Sequence, residues 1–306
     1  MSKCRIALLG NPINKSESPV VYGVLSSLTG IDIQYDLRQC PDFRAAVSDL
    51  LSSGYDGFNI TLPFKTTAAD SVARLMPTAA ECNAANCAKF IATDSQDCKF
   101  PAEADNTDAQ AFLWALRDRI CGNGKECAAA NYPWLPYSMD LGKMTILKEK
   151  KAAILGAGGA AMASAWAFAK MGIGNIVFHA RNIGKAEKIA SKMKSIFPNT
   201  VFYAAVLPEN GIEYPEFFAN ATPLGMYGGK VPAGISEKTV LVADWPYLKC
   251  GTDFICDSEK LGIECISGME LLLRQAILNL RFWTGADICG LYGKSAAILH
   301  GKGYKI

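Results

Sequence analysis

The run Gly57-Phe-Asn59-Ile-Thr61-Leu-Pro63-Phe-Lys65 is where this 306-residue chain could do acid–base chemistry. Read as an extended segment, it puts Asn59, Thr61 and Lys65 on one face and Phe58, Ile60, Leu62 and Phe64 on the other. Pro63 has no N–H, so strand pairing is expected to end near it. Lys65 is then expected just past the strand end, where α/β sheets bind ligands. The same alternation also fits a half-exposed edge strand carrying ordinary surface polars. Ser16 and Ser18, in Asn11-Pro-Ile-Asn-Lys-Ser16-Glu-Ser18-Pro19, could offer hydroxyls and nearby helix amides to an anion such as a carboxylate. Ser18 alone also reads as a helix cap. Asn106-Thr107-Asp108 precedes the apolar stretch Phe112 to Ile120, and a helix N-terminus there would stabilise Asp108 as an anion, or simply be capped by it.

A second kind of chemistry is suggested by Gly156-Ala157-Gly158-Gly159-Ala160-Ala161, which fits G-x-G-x-x-A. The first glycine makes a tight turn, the second lets backbone approach a pyrophosphate, and the small third residue lets helix pack on strand. The helix N-terminus would face the phosphates. No Asp or Glu ends the next strand at His179-Ala180-Arg181-Asn182. Arg181 and Lys185 stand there instead, and two cations suit a 2′-phosphate, so NADP is expected over NAD. His179 reads as a packing residue at a strand end.

These residues need elements to hold them. Strands are expected at Arg5 to Leu9, Ile31 to Leu37, from Gly57, Ala152 to Leu155, Asn175 to His179, Val201 to Tyr203, Phe217 to Asn220 and Val240 to Asp244. Helices are expected from Ser18 as N-cap to Gly30, at Phe43 to Leu51, Ala160 to Met171, Met269 to Trp283 and Ala286 to His300. This βαβ rhythm implies largely parallel sheets with helices on their faces. Cys121 to Lys148 is irregular and reads as a long loop or insertion near a domain boundary.

Composition narrows the function classes. The length suggests about two domains. A net charge of +2 with no run of five like charges argues against nucleic acid and polybasic membrane binding. The uncharged stretch Ala152 to Ala169 is too rich in Ala and Gly to read as a membrane span. Eleven scattered cysteines without Cys-x-x-Cys, and two histidines, argue against a zinc site. They read as reduced thiols of a cytoplasmic protein, most of them small core residues.

Taken together, these motifs resemble the shikimate dehydrogenase family. The resemblance runs from Gly10 to about Gly285 and adds Asn86, Asn220-Ala-Thr222-Pro-Leu-Gly225-Met226, Asp244-x-x-Tyr247 and Gly268-Met269-x-x-Leu272-x-x-Gln275 in the family's order. It implies an α/β substrate domain of residues 1–110 plus 268–306, and a Rossmann-type NADP domain of residues 111–267 with its insertion at 121–148. The active site would lie in the cleft between them. It implies hydride transfer between NADP(H) and shikimate or 3-dehydroshikimate, a step of aromatic amino acid biosynthesis. By matching position, Lys65 and Asp108 become the catalytic pair, and Ser16, Ser18 and Tyr247 hold a substrate carboxylate. Asn59, Thr61, Asn86 and Gln275 bind ring hydroxyls. Asn220, Thr222, Met226 and Gly268 stand on the cofactor side. Ala104, Ala111, Ala180, Lys249 and Ala85-Asn86-Cys87 depart from the family's usual residues, which marks a divergent member. Quinate or aminoshikimate as substrate, a non-catalytic metabolite sensor and a methylenetetrahydrofolate dehydrogenase remain as alternatives. A homodimer is compatible with the pattern, and no metal is expected.

Overall fold

The computed structural model describes residues 3–92, 99–121, 147–207, 212–213 and 215–306. Most of the expected insertion at Cys121 to Lys148 lies outside them. The chain divides into two compact units, Met1–Asp108 with Leu273–Ile298, and Ala109–Leu272 with Leu299–Ile306.

The first unit holds a six-stranded sheet. Its strands are β1 Lys3–Gly10, β2 Asp32–Gln39, β3 Gly57–Ile60, β4 Val72–Leu75, β5 Cys87–Phe90 and β6 Phe100–Asp105, in the order β2-β1-β3-β5-β6-β4. All pairings are parallel except those of β5, which runs antiparallel to both β3 and β6. This inverted strand was absent from the sequence expectation, and it has a consequence for the site. The start of β5 lies at the same sheet edge as the ends of β3 and β6, where Asn59 pairs with Cys87 and Cys87 with Asp105.

The β3 segment is a central strand, and all four of its residues are buried, so it is no half-exposed edge. Gly57 allows this close pairing, because a Cβ there would lie 2.4 Å from the Ala88 carbonyl oxygen. Beneath the sheet, Phe43, Val47 and Leu50 of helix Phe43–Ser52 pack into one core with Leu9, Phe58 and Ile60. The spacing of these three on the helix gives it the apolar stripe that a sheet face requires. One edge strand is β2, with Ile33 and Tyr35 half-buried between exposed Asp32, Gln34 and Asp36.

The second unit is a doubly wound, wholly parallel sheet. Its strands are β7 Lys151–Leu155, β8 Asn175–Ala180, β9 Val201–Val206, β11 Phe217–Asn220, β13 Leu241–Asp244 and β14 Glu264–Ile266, ordered β14-β13-β11-β7-β8-β9. Ile212–Glu213 (β10) and Ala233–Gly234 (β12) form a small separate pair. The uncharged stretch from Ala152 resolves into β7, a glycine turn and helix Gly159–Lys170. No helix among the described residues is long and apolar enough to cross a membrane.

Three local expectations need correction. Ser18 is the first helical residue rather than the cap, because Glu17 already has helical backbone angles; Ser16 Oγ accepts from the Ser18 N–H at 3.3 Å. The last helix begins at Leu291, not Ala286, since Asp287 Oδ1 accepts from Cys289 N and holds a turn before it. Cys4, Cys40, Cys82, Cys87, Cys250, Cys256 and Cys265 are free, but Cys289 is disulfide-bonded, a pairing that spacing alone does not reveal.

The C-terminal tail was expected with the substrate domain, but its contacts are with the second unit. Lys305 N donates to Lys249 O at 2.8 Å, Ser267 Oγ donates to Lys305 O, and the Lys249 ammonium lies 5.1 Å from the Tyr304 ring centroid.

Candidate active site

The first unit gathers one buried polar cluster at the edge where β3 and β6 end and β5 begins. Lys65 does not reach it from an extended strand. The strand stops at Ile60, residues 61–64 turn with Phe64 N donating to Thr61 O at 2.9 Å, and Lys65 opens helix Lys65–Ser71. Its own carbonyl is tied down by the Ala85 N–H at 2.9 Å. The Lys65 ammonium makes a short ion pair with Asp108 Oδ2. Asp108 sits in the first turn of helix Thr107–Cys121, whose dipole favours its charge.

Asn86, just ahead of β5, is the hub. Its backbone carbonyl accepts from Ile60 N at 2.8 Å and from Asn59 Nδ2 at 3.0 Å. Its Nδ2 donates to Asp108 Oδ1 and Thr107 Oγ1, both at 2.9 Å, and more distantly to Gln275 Oε1. Its Oδ1 accepts from Thr107 N at 2.7 Å. Asn86 therefore fixes one carboxylate oxygen of Asp108 while Lys65 holds the other. Cys87 beside it is fully buried; burial, then the charges of Asp105 and Asp108, push its thiol up, so it stays neutral.

Asn59, Asn86 and Gln275 come together in this cluster with Lys65 and Asp108. Thr61 stands in the turn after β3, and Ser16 and Ser18 in the segment after β1. Tyr22, Tyr35, Thr107 and Asn279 also join the cluster, and sequence reading gave none of them a role. One signal was available for Asn279, since it stands one helical turn after Gln275 and shares its face.

In the second unit the glycine turn has the features a dinucleotide needs. Gly156 has φ +116°, and a Cβ there would lie 2.9 Å from the Ala221 carbonyl oxygen. At Gly158 a Cβ would meet open space, and no side chain caps the helix that begins at Gly159. Its first backbone N–H groups are thus open to an anion. Ala157 and Ala160 are partly exposed there, and Arg181 and Lys185 are exposed one strand over. Among the described residues neither cation makes an ion pair. The site accordingly fits a phosphorylated dinucleotide. His179 is half-buried, its Nδ1 has no partner among the described residues, and burial lowers its pKa, which suits packing rather than catalysis.

Asn220 is fully buried and ties its loop together. Its Nδ2 donates to Asp244 Oδ1 at 2.7 Å, and its Oδ1 accepts from the Thr222 hydroxyl at 2.7 Å. Thr252 also donates to Asp244. Burial pushes the Asp244 carboxyl up to about 7, against the lowering effect of these two donors. Met226 is half-buried in the same loop, and Tyr247 half-buried past the end of β13. Gly268 has a packing reason, since a Cβ would lie 2.3 Å from the Pro246 carbonyl oxygen.

A mixed substrate-type sheet with a lysine–carboxylate pair, in a chain that also carries a Rossmann unit with an open glycine turn, defines a two-unit α/β oxidoreductase. Residues 8–88 match the family model described as the shikimate dehydrogenase substrate binding domain. The shikimate dehydrogenase (NADP(+)) of Caulobacter vibrioides strain NA1000 / CB15N is 30% identical over 275 residues, which cover 88% of this chain and 85% of that protein. The chain belongs to the shikimate dehydrogenase family. Two solved structures share the fold. The quinate dehydrogenase of Corynebacterium glutamicum in complex with NAD has TM-score 0.75 at 18% identity, covering 97% of this chain and 100% of that one. The shikimate 5-dehydrogenase of Thermus thermophilus in complex with NADP(H) and shikimate has TM-score 0.68 at 23% identity, covering 96% and 99%.

Proposed function

We propose that the chain is an NADP-dependent dehydrogenase that moves a hydride between NADP(H) and shikimate or 3-dehydroshikimate. Lys65 and Asp108 handle the proton. The observation that carries this reading is their ion pair, anchored by Asn86 at the carboxyl-end edge of the first sheet. The cofactor and substrate in the names of the Caulobacter and Thermus proteins support it.

When bound, NADP supplies or takes the hydride at its nicotinamide ring. The backbone of Gly156 to Ala160 holds the pyrophosphate, Arg181 and Lys185 the 2′-phosphate, and the loop of Asn220, Thr222 and Met226, with Gly268, borders the nicotinamide. Residues 1–108 with 273–298 serve the substrate, and residues 109–272 with 299–306 the dinucleotide. Ser16, Ser18 and Tyr247 take the substrate carboxylate, and Asn59, Thr61, Asn86 and Gln275 its hydroxyls. During reduction the carbonyl oxygen gains negative charge. The Lys65 ammonium stabilises that charge and donates a proton to it. Asp108 favours the charged form of Lys65 and accepts from a neighbouring ring hydroxyl. In oxidation the pair takes the proton instead.

The test follows nicotinamide absorbance with shikimate or quinate and NADP⁺ or NAD⁺. Shikimate with NADP⁺ is expected to turn over fastest. Lys65→Ala is expected to lose about 10²- to 10⁴-fold in kcat with its melting temperature within a few degrees of the parent's. No turnover of shikimate by folded protein with either cofactor would overturn the proposal. A clear preference for quinate or NAD⁺ would correct the substrate or cofactor and leave the proton pair standing.

A further inference from the structure

Asn59 has its hydrogen bonds arranged in one direction. Its Oδ1 accepts from two phenols, Tyr22 at 3.0 Å and Tyr35 at 2.9 Å. Its Nδ2 spends one hydrogen on the Asn86 carbonyl at 3.0 Å. A carbonyl oxygen has two lone pairs and an amide nitrogen two hydrogens. The acceptor side of Asn59 is therefore full, and one N–H remains without a partner among the described residues. Reversing the carboxamide would set its NH₂ against two phenols and its oxygen against the Asn86 carbonyl, losing all three bonds as they stand.

The phenols are themselves held. The rings of Tyr22 and Tyr35 stack with centroids 4.3 Å apart. Tyr22 is fully buried, and its oxygen accepts from Asn279 Nδ2 at 2.9 Å, which turns the phenol proton toward Asn59. Asn279 is oriented in turn, because its Nδ2 also donates to Gln275 Oε1 at 2.7 Å and its Oδ1 accepts from the Thr107 hydroxyl at 2.6 Å. A relay of donors thus runs from Thr107 through Asn279 and Tyr22 to Asn59, with every proton pointing the same way. Burial raises the Tyr22 phenol well above its ordinary range, so it remains a donor throughout the working pH range.

We propose that Tyr22 and Tyr35 are positioning residues that lock the Asn59 carboxamide with its nitrogen toward the substrate, so that Asn59 donates to a ring oxygen and never accepts from it. The inference rests on Asn59 being a substrate ligand, as in the proposed function. It assigns the substrate atom at this position the role of an acceptor, a hydroxyl or carbonyl oxygen. An amine carried there as an ammonium group, which can only donate, is excluded.

The test compares Tyr22→Phe, Tyr35→Phe and their combination, which keep both rings and remove only the hydroxyls. The double variant removes two of the three bonds that fix the carboxamide and leaves it held through the Asn86 carbonyl alone among the described residues. Its KM for shikimate is expected to rise about tenfold, the worth of one directed hydrogen bond. KM for NADP⁺ should stay put and kcat should change less than KM. Each single variant retains one phenol and should give less than half the double variant's effect on a logarithmic scale. An unchanged shikimate KM in the double variant would overturn the inference. A loss spread equally over kcat and both KM values would also overturn it, since that marks general disruption. Asn59→Ala separates this from the underlying reading, which fails if that variant leaves shikimate KM unchanged. Should the double variant not fold, Asn59→Asp decides. It presents only acceptors, so it should bind shikimate more weakly than Asn59→Ala, and equal or tighter binding would overturn the inference.

Discussion

Arg181 and Lys185 illustrate what a single side chain can be asked to do. Both are exposed past the end of β8 and neither has an ion-pair partner among the described residues, so their charges are available to a ligand phosphate. Arg181→Ser should raise KM for NADP⁺ at least about tenfold and leave KM for NAD⁺ nearly unchanged, since a charge-assisted, bidentate contact is lost only with the phosphorylated cofactor. Steady-state assays with the two cofactors check this. These cations were legible because they follow a glycine turn at a fixed distance along the chain. Lys65 and Asp108 were legible as members of two motifs, and their ion pair links residues 43 apart. Tyr22 and Tyr35 were not legible, and Asn279 only through its place one helical turn after Gln275. Their bonds to Asn59 and to each other span 37, 24 and 257 residues, and no local pattern marks such a meeting.

At the scale of elements, the loop that follows β11 is held by a carboxyl with an unusual proton affinity. An unfolded Asp ionises near 3.9, whereas folding raises Asp244 to about 7. The folded state therefore holds this proton more tightly. The stability the group contributes is complete below a pH of about 4 and is lost as pH rises through about 7. Between about pH 5.5 and pH 8.5 the parent protein should lose more melting temperature than Asp244→Asn does, as followed by scanning fluorimetry. An equal loss in both would remove Asp244 from the account. Most strands and helices of this half were legible, because β7, β8, β11 and β13 are short apolar runs ended by polar or glycine residues. In the first half the four-residue β5 was hidden: Cys-Ala-Lys-Phe has no clear period, and its direction depends on partners far along the chain. The strand was expected to end near Pro63 and ends at Ile60, since alternation continues in the sequence after the backbone has already turned.

For the whole molecule, the path of the chain matters more than any one contact. It leaves the first unit at Asp108, returns at Leu273 and departs again after Ile298. The final residues dock on the second unit through Tyr304, which is buried, and Lys305, which pairs with Glu259. Truncation after Gly303 removes both anchors. Burial of one aromatic side chain is worth about 1.5–3 kcal/mol, so the melting temperature should fall by roughly 5 °C, while KM for shikimate should hold. A melting curve beside a steady-state assay checks both. The division into two α/β units was legible from the repeated βαβ rhythm, but the return of the tail was not, because its anchors are one tyrosine, one lysine and backbone bonds, which form no local pattern. The donor relay through Asn279 carries a further consequence, one of timing. A ribosome delivers Tyr22, Asn59, Lys65 and Asp108 first, and Asn279 emerges 171 residues after Asp108. Until then Tyr22 lacks the amide that aims its proton, and the Asn86 amide lacks its contact with a glutamine 189 residues away. Nascent chains of this protein acquire Lys65 and Asp108 well before the hydrogen-bonded surroundings of Asn59 and Asn86 are complete.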